Sequence, residues 1–204
     1  LGSTGFGIAQ ATAIAAKALG LKLRGAKVAI HGFGNVATFT YKYLLNFGAN
    51  VVALADSRNA VFAPHGLDPK IVFGLIKKKK RLSEYPKKTQ IKPQKFWGLP
   101  VEILIPASVT DVINDSNKKA IQAKLIVEAG NIPMSEKIEE ELHRKGILIV
   151  PDFVANAGGV ISSYAEYRGL NPQKMFALVE RKIKNSTKAV ISESLQTGKS
   201  PRQV

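Results

Sequence analysis

The run Lys27-Val28-Ala29-Ile30-His31-Gly32-Phe33-Gly34-Asn35-Val36-Ala37, followed by Val51-Val52-Ala53-Leu54-Ala55-Asp56, constrains this chain more than any other feature. It reads as a buried apolar strand, a glycine turn, a helix, and a second strand that ends on an acid. Gly32 lets the chain turn sharply out of the strand, Gly34 lets backbone approach a pyrophosphate, and the small Ala37 keeps the helix near the sheet. The helix start, at Asn35 and Val36, offers free N–H groups and a partial positive charge to phosphates. Asp56 lies about 20 residues beyond Gly34, where a carboxylate accepts hydrogen bonds from an adenosine ribose. The order of these elements implies a dinucleotide-binding unit. Two blander readings stand beside it: glycine turns join strands to helices in domains that bind nothing, and an acid at a strand end can simply cap a turn.

With 204 residues, 45% of them hydrophobic, the chain can bury one large core or one and a half small ones. No stretch approaches the roughly 18 apolar residues of a membrane span, and no series resembles a signal peptide. Cysteine is absent, which excludes disulfides and thiol chemistry and fits a reducing compartment, so a cytoplasmic location is expected. His31, His65 and His143 lack metal-ligand spacing, and no metal is expected.

Lys and Arg number 30 against 15 Asp and Glu, a net charge of +15 that raises nucleic acid as a partner. The excess is concentrated in Lys77-Lys78-Lys79-Lys80-Arg81 and in Lys87, Lys88, Lys92 and Lys95, amid prolines. That stretch reads as a solvated excursion distal to the sheet edge that binds ligand. Tyr85, Phe96 and Trp97 are too sparse for a base-stacking platform.

Along the chain, helix and strand signals alternate without an internal repeat. An alanine-rich helix from Thr4 to Leu19 stops at Gly20; strands at Lys27–His31 and Asn50–Ala55 flank a helix from Asn35 to Phe47 that stops at Gly48. Asp68-Pro69 start a helix that runs to the lysine cluster. Short apolar strands follow at Val101–Ile105, Leu125–Val127 and Ile147–Val150, and Ser135 caps a helix ending at Gly146. The region from Gly158 to Gln196 is helical, broken around Gly169-Leu170-Asn171-Pro172. The pattern predicts an α/β fold: a Rossmann-like, doubly wound, mostly parallel sheet with helices on both faces and a helical C-terminal segment. The expected organisation is an interdomain helix at 1–24, the Rossmann-like domain at 25–170 and a helical segment at 171–204.

Ligands of such sheets bind beyond the carboxyl ends of the strands. Pro106-Ala107-Ser108, Glu128-Ala129-Gly130-Asn131 and Pro151-Asp152-Phe153-Val154-Ala155-Asn156-Ala157-Gly158-Gly159 all fall there. Singly, each has a structural reading: Asn131 and Asn156 suit left-handed turns, Ser108 suits a cap, and Gly158-Gly159 suit a helix start. Their shared edge favours function. With Gly32-Phe33-Gly34-Asn35-Val36, Ile105-Pro106-Ala107 and Val127-Glu128-Ala129-Gly130-Asn131-Ile132-Pro133, this order resembles the cofactor domain of the glutamate/leucine/phenylalanine/valine dehydrogenases. Ile161-Ser162-Ser163-Tyr164-Ala165-Glu166-Tyr167 is similar to the glutamate branch.

The resemblance implies reversible oxidative deamination of L-glutamate to 2-oxoglutarate and ammonium with NAD or NADP. It implies that Gly32, Gly34, Asn35 and Val36 hold the pyrophosphate, and Asp56 and Ser57 the adenosine ribose. It places Ala107, Asn131 and Thr4 near the nicotinamide ribose and ring, Asn156 on the carboxamide, and Ser163 on the substrate's distal carboxylate. Asp56 favours NAD, although Arg58 can attract a 2′-phosphate. The family's catalytic lysine and aspartate belong to an N-terminal substrate domain with no counterpart here, so no catalytic residue is assigned. The chain is expected to be a fragment, inactive alone, of an enzyme that is a homo-oligomer when complete. Departures from the family pattern are Ala37 where glycine is frequent, the order Ala129-Gly130, and the lysine-rich insertion. Two other readings are a catalytically silent nucleotide-binding regulatory module and a basic nucleic-acid-binding α/β protein.

Overall fold

The computed structural model describes residues 2–204. The strands are β1 (Lys27–His31), β2 (Asn50–Ala55), β3 (Ala60–Phe62), β4 (Gln90–Ile91), β5 (Ile103–Pro106), β6 (Leu125–Val127) and β7 (Leu148–Val150). The helices are α1 (Ser3–Ala18), α2 (Asn35–Asn46), α3 (Pro69–Lys77), α4 (Glu136–Arg144), α5 (Asp152–Ala155), α6 (Gly158–Tyr167) and α7 (Pro172–Thr197). Among the described residues one seven-stranded sheet runs β4-β3-β2-β1-β5-β6-β7. The pairs β2-β1-β5-β6-β7 are parallel, and β3 and β4 join antiparallel.

Alternation along the parallel strands divides the core between the two faces. Val28, Ile30, Ile103, Ile105, Leu125, Val127, Leu148 and Val150 pack with α1, α2 and α7. Ala29, Leu104, Ile126 and Ile149 point the other way, to Phe96, Trp97, Ile113, Ile138 and Leu142. Strands buried on both faces lose the polar alternation of a one-sided sheet, which is why they read as continuous apolar runs. The first face is covered by long helices, with α1 packed against α2, α6 and α7. The second is covered by α4 and short 3-10 turns, including Pro93–Gly98.

The caps expected at Asp68 and Ser135 form, their side chains accepting from Lys70 N and Ile138 N, and at the expected break the Asn171 side chain caps α7 by accepting from Lys174 N. Two strands begin later than expected. Glu102 Oε2 accepts from Lys27 N at 2.7 Å, replacing a ladder bond before β5, and Ile147 N returns to Leu142 O to close α4. The lysine-rich segment also departs from expectation, since it returns to the sheet as β4 on the outer side of β3.

Candidate functional site

From β1 the chain moves outward to β2 on one side and returns to β5 on the other, so strand order reverses between β1 and β5. The segments leaving their carboxyl ends diverge and open a crevice, the ligand edge of this architecture. Gly32 sits at its floor with φ 141°, and a Cβ there would lie 2.4 Å from Ala107 O. Conformation and space therefore both exclude a side chain. Gly34 is the N-cap of α2 and supplies no side-chain cap, so the first N–H groups of the helix lack the usual internal partner. A Cβ on Gly34 would meet nothing within 4 Å. The helix start is thus open to an anion.

Two cavities meet in the crevice. The first, about 510 Å³, is lined by Gly32, Phe33, Gly34, Asp56, Ser57, Arg58, Asn59, Lys80 and Arg81. The second, about 490 Å³, is lined by Thr4, Val36, Ala129, Gly130, Asn131, Asn156, Gly159, Val160 and Ser163. Ala107 and Ser108 line both. Asn35 lies in an adjoining recess with Thr4 and Val36. The residues given a ligand role from the sequence, from Thr4 to Ser163, therefore all border these adjoining cavities.

The first cavity carries all the cleft's charge. Asp56 Oδ1 accepts from Arg58 N and Asn59 N at 2.8 Å each and from Asn59 Nδ2 at 3.0 Å, so this carboxylate does cap its own turn. Its Oδ2 has the weaker contact, Asn59 Nδ2 at 3.3 Å. Lys80 and Arg81 face the same cavity, with Lys80 paired to Glu84. This corrects the expectation that the lysine cluster lies distal to the ligand edge: the residues just after α3, Lys80 and Arg81, line the same cavity as Asp56. Periodicity could not reveal this, because the two segments meet through tertiary packing.

No ionisable side chain lines the second cavity. Its polar groups are ordered by one another: Asn156 Nδ2 donates to Asn131 Oδ1 at 2.9 Å, Thr110 Oγ1 to Asn131 O at 3.1 Å, and Ser163 Oγ to Gly159 O at 3.3 Å. The left-handed backbone falls on Ile132, φ 45°, rather than on Asn131 or Asn156. Ser108 Oγ lies 2.8 Å from His31 Nδ1. His31 stacks on Trp97, centroids 4.7 Å apart, and burial pushes its pKa down to about 4, so the ring is neutral near pH 7. Asp152, which begins α5, is turned away from this cavity into an ion pair with Arg202.

Fold and cleft together define a Rossmann-like α/β domain with its ligand edge at the strand-order reversal. The family model for Glutamate/Leucine/Phenylalanine/Valine dehydrogenase matches residues 1–203, and the chain belongs to that family. The glutamate dehydrogenase of Aeropyrum pernix is 36% identical over 93% of this chain and 47% of its own length. The NADP-specific enzyme of Saccharolobus shibatae is 36% identical, covering 81% of this chain and 39% of its own. The NAD-specific enzyme of Peptoniphilus asaccharolyticus is 37% identical, covering 81% and 40%. The crystal structure of hetero-hexameric glutamate dehydrogenase from Thermus thermophilus superposes with a TM-score of 0.86 at 27% identity, covering 98% of this chain and 49% of that one. The chain spans about half the length of the curated relatives it matches or less. No helix among the described residues is long and apolar enough to cross a membrane.

Proposed function

We propose that this chain is the NAD(P)-binding half of an oxidoreductase that reversibly deaminates L-glutamate to 2-oxoglutarate and ammonium. The observation that carries the reading is the contiguous cleft, charged in one cavity and neutral in the other, with the uncapped start of α2 between them. The N–H groups of Asn35 and Val36 would hold the pyrophosphate, Asp56 Oδ2 and Ser57 the adenosine ribose, and Thr4, Ala107, Asn131 and Asn156 the nicotinamide side. When bound, the cofactor supplies hydride transfer; the protein supplies orientation and electrostatics. Ser163, at the outer end of the second cavity, would contact the substrate's distal carboxylate.

Proton transfers in deamination need a positioned acid or base. The neutral lining of the second cavity offers none, which supports a chain that is inactive alone and completed by a partner domain carrying those groups. On cofactor choice, Arg58, Lys80 and Arg81 line the same cavity as the partly engaged Asp56 carboxylate, a lining that favours a 2′-phosphate more than Asp56 alone suggested. The reading therefore keeps both cofactors and drops the lean toward NAD. By analogy with the hexameric neighbour, the complete enzyme would be an oligomer.

The test is titration of the chain with NADH and NADPH by calorimetry, followed by assays of glutamate-dependent cofactor reduction for the chain and for its full-length gene product. Binding by the chain, no turnover alone and turnover at full length are expected. Binding without turnover at full length would move the protein to a regulatory nucleotide-binding module, and no binding would overturn the cofactor site.

A further inference from the structure

We infer that Arg202 is a positioning residue: held by the segment after α7, it clamps the carboxylates that set Asn131 and Asn156 at the second cavity. Its consequence for ligand binding rests on the cofactor reading above; its geometry does not. Arg202 Nη2 donates to Glu128 Oε2 at 2.8 Å and to Asp152 Oδ1 at 3.1 Å, and Nε donates to Glu139 Oε2 at 2.5 Å. These carboxylates come from three places in the fold: Glu128 directly after β6, Glu139 on α4 and Asp152 at the start of α5. The strap itself is fastened at both ends, by Ser194 Oγ donating to Lys199 O and by Gln203 Nε2 donating to Glu140 Oε1.

The cluster reaches the cleft through backbone. Asp152 Oδ2 accepts from Ile132 N at 2.9 Å, and Glu128 Oε2 accepts from Asp152 N at 2.9 Å. Ile132 holds φ 45°, a region that β-branched residues rarely adopt, while its side chain is 56% exposed and offers little packing to hold it there. The bond from Ile132 N to Asp152 holds that turn together with Asp111 N donating to Ile132 O at 3.0 Å and Thr110 Oγ1 donating to Asn131 O at 3.1 Å, and of these it alone runs to the Arg202 cluster; the residue just before Ile132 is Asn131. From Asp152 one short helix leads to Asn156, whose amide bonds Asn131. One carboxylate thus ties both asparagines to each other, and its Oδ1 is held by Arg202 Nη2 at 3.1 Å and by Phe153 N at 2.9 Å.

Electrostatics makes the clamp necessary. Glu128 is fully buried and Glu139 nearly so, and both have an Oε1 without a hydrogen-bond partner among the described residues. Burial, together with the neighbouring Glu139 and Asp152, pushes Glu128 up to about 8, while Arg202 opposes the shift. Glu139 is also raised by burial, with Asp152 and Glu136 adding to the shift and Arg202 opposing it. Removing the guanidinium takes away the donor that Glu128, Glu139 and Asp152 share and the charge that opposes the upward shifts of Glu128 and Glu139, so Asp152 Oδ1 keeps only Phe153 N and the Ile132 turn loosens.

The experiment uses Arg202→Met and Arg202→Lys in this chain, with amide hydrogen exchange and titration by ADP and NADH. ADP reaches only the first cavity, whereas NADH also needs the second. For Arg202→Met, exchange at Ile132 should rise at least about tenfold while exchange in β1 and β2 is unchanged. NADH affinity should fall about tenfold, with ADP affinity unchanged within roughly twofold. Lysine keeps the charge but not the fork, so Arg202→Lys should lose about threefold for NADH alone; that variant decides the matter if Arg202→Met does not fold. Unchanged Ile132 exchange in a folded variant, or equal losses for ADP and NADH, would overturn the positioning role. If the unaltered chain binds neither ligand, the cofactor reading fails, while the exchange result still decides the clamp.

Discussion

Replacing Gly34 by valine separates folding from binding more cleanly than any other single change. The residue sits at φ −85°, ψ −171°, extended backbone open to a β-branched side chain, and nothing lies within 4 Å of the added Cβ. The folded chain should therefore tolerate the substitution. Valine is a poorer N-cap than glycine, a cost of about 1 kcal/mol that lowers the melting temperature by roughly 2–4 °C in a domain this size. The same open space is where a pyrophosphate must approach the N–H groups of Asn35 and Val36. Two hydrogen bonds to a charged oxygen contribute about 1.5–3 kcal/mol each, so blocking both removes about 3–6 kcal/mol. That is a loss of NADH affinity between roughly a hundredfold and ten-thousandfold. Calorimetric titration beside a thermal melt reads both effects. A folded Gly34→Val chain that binds NADH within threefold of the original would refute the placement of the phosphates.

Gly32→Ala should act the other way, on stability first. The strain at φ 141° and the collision with Ala107 O together cost at least about 3 kcal/mol, a drop in melting temperature of roughly 6 °C or more. An unchanged melt would mean that β1 and β5 separate freely at their ends. Asp56→Asn keeps the Oδ1 that caps the turn and removes the charge, so the NADPH-to-NADH affinity ratio should rise about three- to tenfold. Replacing Lys80 and Arg81 by alanine should lower the ratio about tenfold, and a ratio unmoved by either change would place the 2′-position elsewhere. His31 predicts an acid limb: its folded pKa of about 4 lies below the ordinary 6.5, so the unfolded chain binds the proton first and stability falls as pH drops through that window. The full effect is about 3 kcal/mol. It should be missing from His31→Gln, seen as a shallower fall in melting temperature between those pH values; parallel curves would show that burial does not hold the ring neutral.

Much of the site was legible because its parts are local. A strand followed by Gly32-Phe33-Gly34 and a helix can be read within one window, since each residue answers to its immediate neighbours in the chain. The caps at Asp68 and Ser135 are legible for the same reason. Asp56 was half legible: its place at the end of β2 follows from the apolar run, but whether its oxygens face a ribose or its own turn depends on side-chain torsions. The short strands β3 and β4 were not anticipated because two or three residues carry no measurable period, and each exists only as the neighbour of another strand.

By itself, the amino-acid sequence determined the α/β alternation, the doubly wound class, the glycine turn and the set of segments that gather at the carboxyl edge, because hydrophobic period and turn chemistry act over a few residues. Only the tertiary structure decided that Lys80 and Arg81 line one cavity with Asp56, that His31 is neutral against Ser108, and that Arg202 binds Glu128, Glu139 and Asp152. Those pairings join residues far apart in the chain, and their energies come from burial and charge proximity, which exist only once the core has closed.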